Sequence, residues 1–247
     1  MLSMIDTAFK MYSDTSDKKD PDTYSRTLCD YHLLLWSKPL PNGVMFKLTM
    51  KQKAPYYLYH SSDLGDFRLA SDNIIHTYSR WKRKSMVEII NQIPKNDIDI
   101  FFDLASTIGG YVIFPANRID RKPTINGIRG IDSQIYDRFD LTLECIRRWY
   151  NGKESPLSTH LDRYSSFFLL FKDFRGYLEY FLLDDLVDTD SGNVRFWLPF
   201  SDFGKTSPLP ANVDEYKIYM KNVLKFTKSR NLRITEWAKL NFDQRIN

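Results

Sequence analysis

Residues 117–129, NRIDRKPTINGIR, have side chains and spacing suited to holding an anion: Arg118, Arg121, Lys122 and Arg129 stand against a single acid, Asp120. Guanidinium groups grip phosphate or carboxylate oxygens in pairs, and lysine adds a point charge. Gly127 and Gly130 let backbone amides approach a ligand, and a helix starting just beyond them adds partial positive charge. Asn117 and Asn126 supply amide donors. The segment predicts a site for a phosphate-bearing ligand, nucleotide or nucleic acid, built from Asn117, Arg118, Arg121, Lys122, Asn126, Gly127 and Arg129. In this expectation Asn117, Arg118 and Arg129 converge on the amides of Gly127 and its neighbours at the start of a helix over 135–150. No GxxxxGK[ST] is present, so this is not a P-loop. The competing structural expectation is a loop whose arginines pair with Asp120, Asp132 and Asp137.

Three further groups could do chemistry. Asp140 and Glu144 lie one helical turn apart and could act as an acid–base pair or hold Mg²⁺, although Glu144 and Arg148 also have ordinary ion-pair spacing. His60 sits at the end of a candidate strand, followed by Ser61. Two basic clusters could neutralise a nucleic-acid backbone without reading bases. One is Lys82, Arg83 and Lys84; the other is Lys217, Lys221, Lys225 and Lys228, a stripe on the last helix extended by Arg230 and Arg233. The four histidines show no HExxH or HxxxH spacing and the two cysteines no CxxC, so no metal site is expected. No cofactor is indicated.

Several stretches carry a resemblance. They are Asp20-Pro21-Asp22, Tyr31-His32, Leu35-Trp36-Ser37-Lys38-Pro39-Leu40-Pro41-Asn42-Gly43, Asn117-Arg118-Ile119-Asp120, Thr124-Ile125-Asn126-Gly127, Arg138 to Glu144 and Arg175-Gly176-Tyr177. From Lys19 onward the chain resembles an uncharacterised family of bacterial proteins, a domain of unknown function. That family has no activity to carry over, and its genomic setting implies phage defence or a toxin-like effector. A second, local resemblance lies at Tyr59-His60-Ser61-Ser62-Asp63, which is similar to the first strand of ADP-ribosyltransferases. It implies NAD chemistry and a glutamate, for which Glu179 is the candidate, but the later hydrophobic pattern of that fold has no match here. A non-catalytic protein-interaction module is the remaining alternative.

The elements that must position these residues can be read from periodicity. Helical spacing is expected over 24–36, 73–81, 85–92, 97–108, 135–150, 156–171, 173–187 and from 213 onward, where Asn212 and Glu215 form a capping box. Strands are expected over 45–50, 56–60, 67–69, 111–114 and 194–199. The reading is an α+β protein: a small antiparallel sheet packed with a majority of helices in one domain, β-rich over 40–115 and helical over 130–247. A hydrophobic fraction of 43% and an aromatic fraction of 15% can build a substantial core. The net charge of +4 leaves nucleic-acid binding to local patches. Neither a signal peptide nor an apolar run of membrane-spanning length stands out, so a cytoplasmic location with no membrane partner is expected.

Overall fold

The computed structural model of the chain describes residues 5–15, 19–79 and 84–242. Asp20 caps the short helix α1 (Pro21–Tyr24), and the Ser25 hydroxyl caps α2 (Arg26–Trp36) by accepting from the Leu28 amide. The prolines beyond stop α2. A two-stranded hairpin follows, β1 (Lys38–Pro39) with β2 (Met45–Phe46), turned at Gly43 with φ +81°. The main sheet is antiparallel throughout, in the order β3 (Thr49–Met50), β4 (Leu58–Ser62), β5 (Gly65–Asn73) and β6 (Tyr111–Pro115). Helices α3 (Lys84–Ile90) and α4 (Lys95–Ala105) lie in the connection between β5 and β6. The α+β reading holds.

Leu58, His60, Phe67, Leu69 and Ser71 alternate inward along β4 and β5, while Tyr59, Ser61, Asp66 and Arg68 alternate outward. After β6 come α5 (Ile125–Ile131), α6 (Phe139–Tyr150), α7 (Ser158–Arg163), α8 (Ser165–Leu169), α9 (Phe174–Phe181) and α10 (Val213–Phe242). Trp36 packs on Tyr180 and Phe181 at ring-centroid distances of 6.2 and 5.2 Å, joining α2 to an aromatic cluster on α8 and α9. Among the described residues no helix is long and apolar enough to cross a membrane.

The helix expected over 156–171 is split into α7 and α8, the one over 173–187 stops at Phe181 where Leu182 turns left-handed, and four further elements come out differently. The strand over 45–50 is broken, because the Leu48 amide donates to Ser37 Oγ and the Lys47 carbonyl bonds the His60 ring instead of a ladder partner. The helix over 73–81 does not begin at Ser71 and Asp72, because those residues extend β5, opposite Ile113 and Val112. Residues 74–79 are irregular, and the carbonyls of His76 and Thr77 accept from the hydroxyls of Tyr219 and Tyr216 on α10. The strand over 194–199 is reduced to a single bridge, Val187 with Val194. There the Trp197 amide donates to Asp140, and the carbonyls of Trp197 and Leu198 accept from Asn222 and Arg138. Finally, the basic loop and the start of the central helix are not continuous. Thr124 caps α5 as a separate helix, and positive φ at Tyr136 and Asp137 turns the chain before α6.

Candidate functional site

The end of β5 gathers a network of buried charges and polar groups. Arg129, on α5, is 1% exposed; its guanidinium pairs with Asp72, donates to Thr142 Oγ1 at 2.9 Å and reaches the Asp137 carbonyl at 3.3 Å. The expectation that Arg129 meets Arg118 at an anion is thereby corrected, since its donors face the end of β5. The amides expected to cradle a ligand are also taken up, because the Gly127 amide donates to Thr124 Oγ1 and that of Ile128 to the Thr124 carbonyl. Asp22, on α1, accepts from the Asn73 amide at 3.4 Å, and its other oxygen is buried with no partner among the described residues. Burial, with the carboxylates of Asp20 and Asp72 nearby, raises the Asp22 pKa well above the usual range. Burial likewise pushes Asp72 up to about 7, against the pull of Arg129. Behind them Trp36 Nε1–H donates to His32 Nδ1 at 2.8 Å, which fixes the tautomer and leaves Nε2–H to donate to Ser71 Oγ at 2.9 Å. Burial lowers the His32 pKa to about 3, so the ring stays neutral.

The α6 carboxylates are likewise committed. Asp140 is fully buried against Arg138 and the Trp197 amide, and Glu144 is chelated by Arg147 and Arg148 at 2.8 Å each. His60 is 3% exposed, stacks on Phe46 at 4.0 Å and engages the Lys47 carbonyl and Ser62 Oγ, which leaves neither ring nitrogen for a ligand. Glu179 is exposed and pairs with Arg175. Among the described residues no cluster of three metal-ligating side chains occurs.

An open cleft lies elsewhere, between the ends of β5 and β6, the loop after β6, and the α7–α8 junction. It encloses about 350 Å³ including its mouth. Arg68, Arg163, Asn117 and Ile119 all line it, with the buried rings of Phe67 and Phe167, 5.9 Å apart. The Ala116 amide donates to the Arg68 carbonyl at 2.8 Å, extending the β5–β6 pairing by one step and fixing where the loop departs. Tyr164 Oη–H donates to the Asn117 carbonyl at 2.7 Å, tying the loop to α7. Arg163 uses Nε on the Thr159 carbonyl, while its NH1 is buried without a partner among the described residues; Arg68 Nε is in the same condition. Neither guanidinium forms an ion pair among the described residues. The one acid of the cleft, Asp66, accepts from Ser61 Oγ.

Of the residues expected from sequence to bind phosphate, Asn117 lines the cleft, Arg118, Arg121 and Lys122 are exposed on the loop that leaves it, and Asn126 and Gly127 lie on α5. Lys82 and Arg83 lie outside the described residues, as does the side chain of Lys84, which opens α3. Lys217, Lys221, Lys225 and Lys228 are exposed along α10, whereas Arg230 is buried and Arg233 pairs with Asp185. Sequence reading missed Arg68 and Arg163. Each sits in an ordinary amphipathic context, and only the outward position of Arg68 in the strand alternation was visible.

No curated protein and no solved structure matches the chain. A family model matches residues 5–234, as the whole-chain resemblance implied. The chain belongs to DUF6994, a family of unknown function.

Proposed function

We propose that this protein binds a phosphate-bearing ligand in the cleft between the β5–β6 edge and α7. The observation that carries this reading is the pair Arg68 and Arg163: each has a buried N–H with no acceptor among the described residues, and both line one solvent-open cleft. A buried donor without a partner costs about 1–3 kcal/mol, and an anion bridging two guanidinium groups removes that cost while forming charge-assisted bonds. The two arginines outweigh Asp66, so the cleft favours a negative group, and its aromatic floor suits an apolar body attached to it.

Calorimetry with inorganic phosphate and a panel of nucleoside mono- and triphosphates tests the proposal. Binding is expected in the wild type, and Arg68→Gln with Arg163→Gln is expected to weaken it by at least about tenfold, the equivalent of one lost charge-assisted contact. Because both side chains are partly solvent-exposed, the double variant should melt within a few degrees of the wild type. Equal affinity in wild type and double variant, or no binding to any of the probes, would remove the cleft as the site.

A further inference from the structure

We infer that the ligand is a single-stranded nucleic acid, with one phosphate held in the cleft and adjoining bases stacked on the outward face of β4. This rests on the cleft reading above and adds two surfaces that meet the cleft on either side. The first surface begins at Arg68 itself. Its guanidinium lies over the Tyr57 ring, 3.8 Å from the ring centroid. Tyr59, on the outward face of β4, stands directly opposite Arg68 in the ladder. Lys51 reaches over the Tyr59 ring at 5.9 Å. Tyr57 and Tyr59 are both half-buried, and neither packs against another aromatic ring among the described residues. Aromatic rings interleaved with cations on an open sheet face are what a flexible strand needs, because bases stack on rings while cations follow the backbone.

The second surface is the loop that Asn117 and Ile119 carry out of the cleft. Asp120 and Arg121 take left-handed conformations at φ +53° and +58°, and the Lys122 amide closes the turn on the Ile119 carbonyl at 3.0 Å. Arg118, Arg121 and Lys122 are exposed there, and none forms an ion pair among the described residues. A tight turn holds three cations at the cleft mouth against one carboxylate, Asp120. A mononucleotide filling the cleft leaves both surfaces unused; a strand running from turn to sheet face uses both. Half-buried rings can stack only on bases that are free of a duplex, so the single strand is favoured over the duplex.

Fluorescence anisotropy with the full-length protein tests this. The probes are labelled single-stranded DNA and RNA of about ten nucleotides, the matching duplexes and a labelled mononucleotide, the length being set by typical single-strand site sizes. The single strands are expected to bind at least about tenfold more tightly than the mononucleotide and than the duplex, with a steep salt dependence. Tyr59→Ala is expected to weaken oligonucleotide binding roughly tenfold, the loss of one stacked base, while leaving calorimetric binding of inorganic phosphate unchanged; Tyr59→Phe is expected to keep wild-type affinity. Arg121→Glu with Lys122→Glu should reduce oligonucleotide affinity and lower the salt slope by about two, again sparing phosphate. If oligonucleotides bind no better than the mononucleotide, or the Tyr59 and turn variants are indifferent while phosphate still binds, the nucleic-acid inference fails and the cleft reading stands. Equal binding of duplex overturns the single-strand class. Loss of phosphate binding in the wild type overturns both.

Discussion

Asp22 and Asp72 carry the sharpest residue-scale consequence of this fold. Both are acids whose protonated form is favoured by burial in the folded chain, Asp72 titrating at about 7. In the unfolded chain both release their protons near pH 3.9. Wherever the folded state holds more protons than the unfolded state, stability falls as pH rises: Asp72 contributes this slope from about 4 to about 7, and Asp22, also raised by burial, acts in the same direction. His32 acts in the opposite sense: its folded pKa is lowered to about 3, so its contribution is lost as pH falls below the ordinary histidine range. The clean measurement is therefore the difference between wild type and Asp22→Asn in melting temperature from about pH 4.5 to 7.5. The wild type is expected to lose stability relative to the variant across that window. A wild type that gains relative to the variant would show that Asp22 is ionised in the folded protein and that Arg129 governs the cluster.

At the scale of elements, legibility followed how locally each element is determined. The helix ending at Tyr150 was readable because Phe139, Leu143 and Ile146 repeat at helical spacing, and these three are buried in α6. The start of α10 was readable because Asn212 and Glu215 close a capping box, each bonding a backbone amide at the helix start. By contrast, Ser71-Asp72 looks like a helix cap, and its strand state is imposed by β6, a partner distant in sequence. The same holds at 194–199, where long-range side chains satisfy the backbone. Ile146 gives the element-scale test. Ile146→Asp places an unpaired carboxylate at a fully buried position, and is expected to cost more than about 3 kcal/mol and to abolish cooperative unfolding near the wild-type midpoint. A chemical-denaturation curve with an unchanged midpoint would mean that α6 repacks around the charge.

The candidate site was only partly legible at the scale of the whole molecule, because it is assembled by topology. Asn117 and the turn cations could be read from their local sequence. Arg68 and Arg163 could not, since what makes them a pair is the meeting of the β5–β6 edge with α7. The same long-range logic ties α10 to the start of β6 and to the end of α9. Arg230, fully buried on α10, donates to the carbonyls of Gly109, Tyr111 and Phe181 at 2.8–3.0 Å, and Asn231 accepts from the Gly109 amide at 2.8 Å. The glycine is required there, because a β-carbon at position 109 would lie 2.5 Å from Asn231 Oδ1 and 2.9 Å from the Thr227 carbonyl. Burial pushes the Arg230 pKa down to about 9, which still leaves the guanidinium charged at neutral pH. Two effects then compete in Arg230→Met. Removing the charge relieves its desolvation, which favours the variant. Against that, three buried carbonyls lose their donor, at about 1–3 kcal/mol each, and together these losses outweigh the relief. A net loss of about 2–4 kcal/mol is expected by urea denaturation, with ligand binding in the cleft retained in the folded fraction because Arg230 does not line it. A stability equal to wild type would mean that the charge is held at its full desolvation cost, and that Asn231, rather than Arg230, locks α10 to the start of β6.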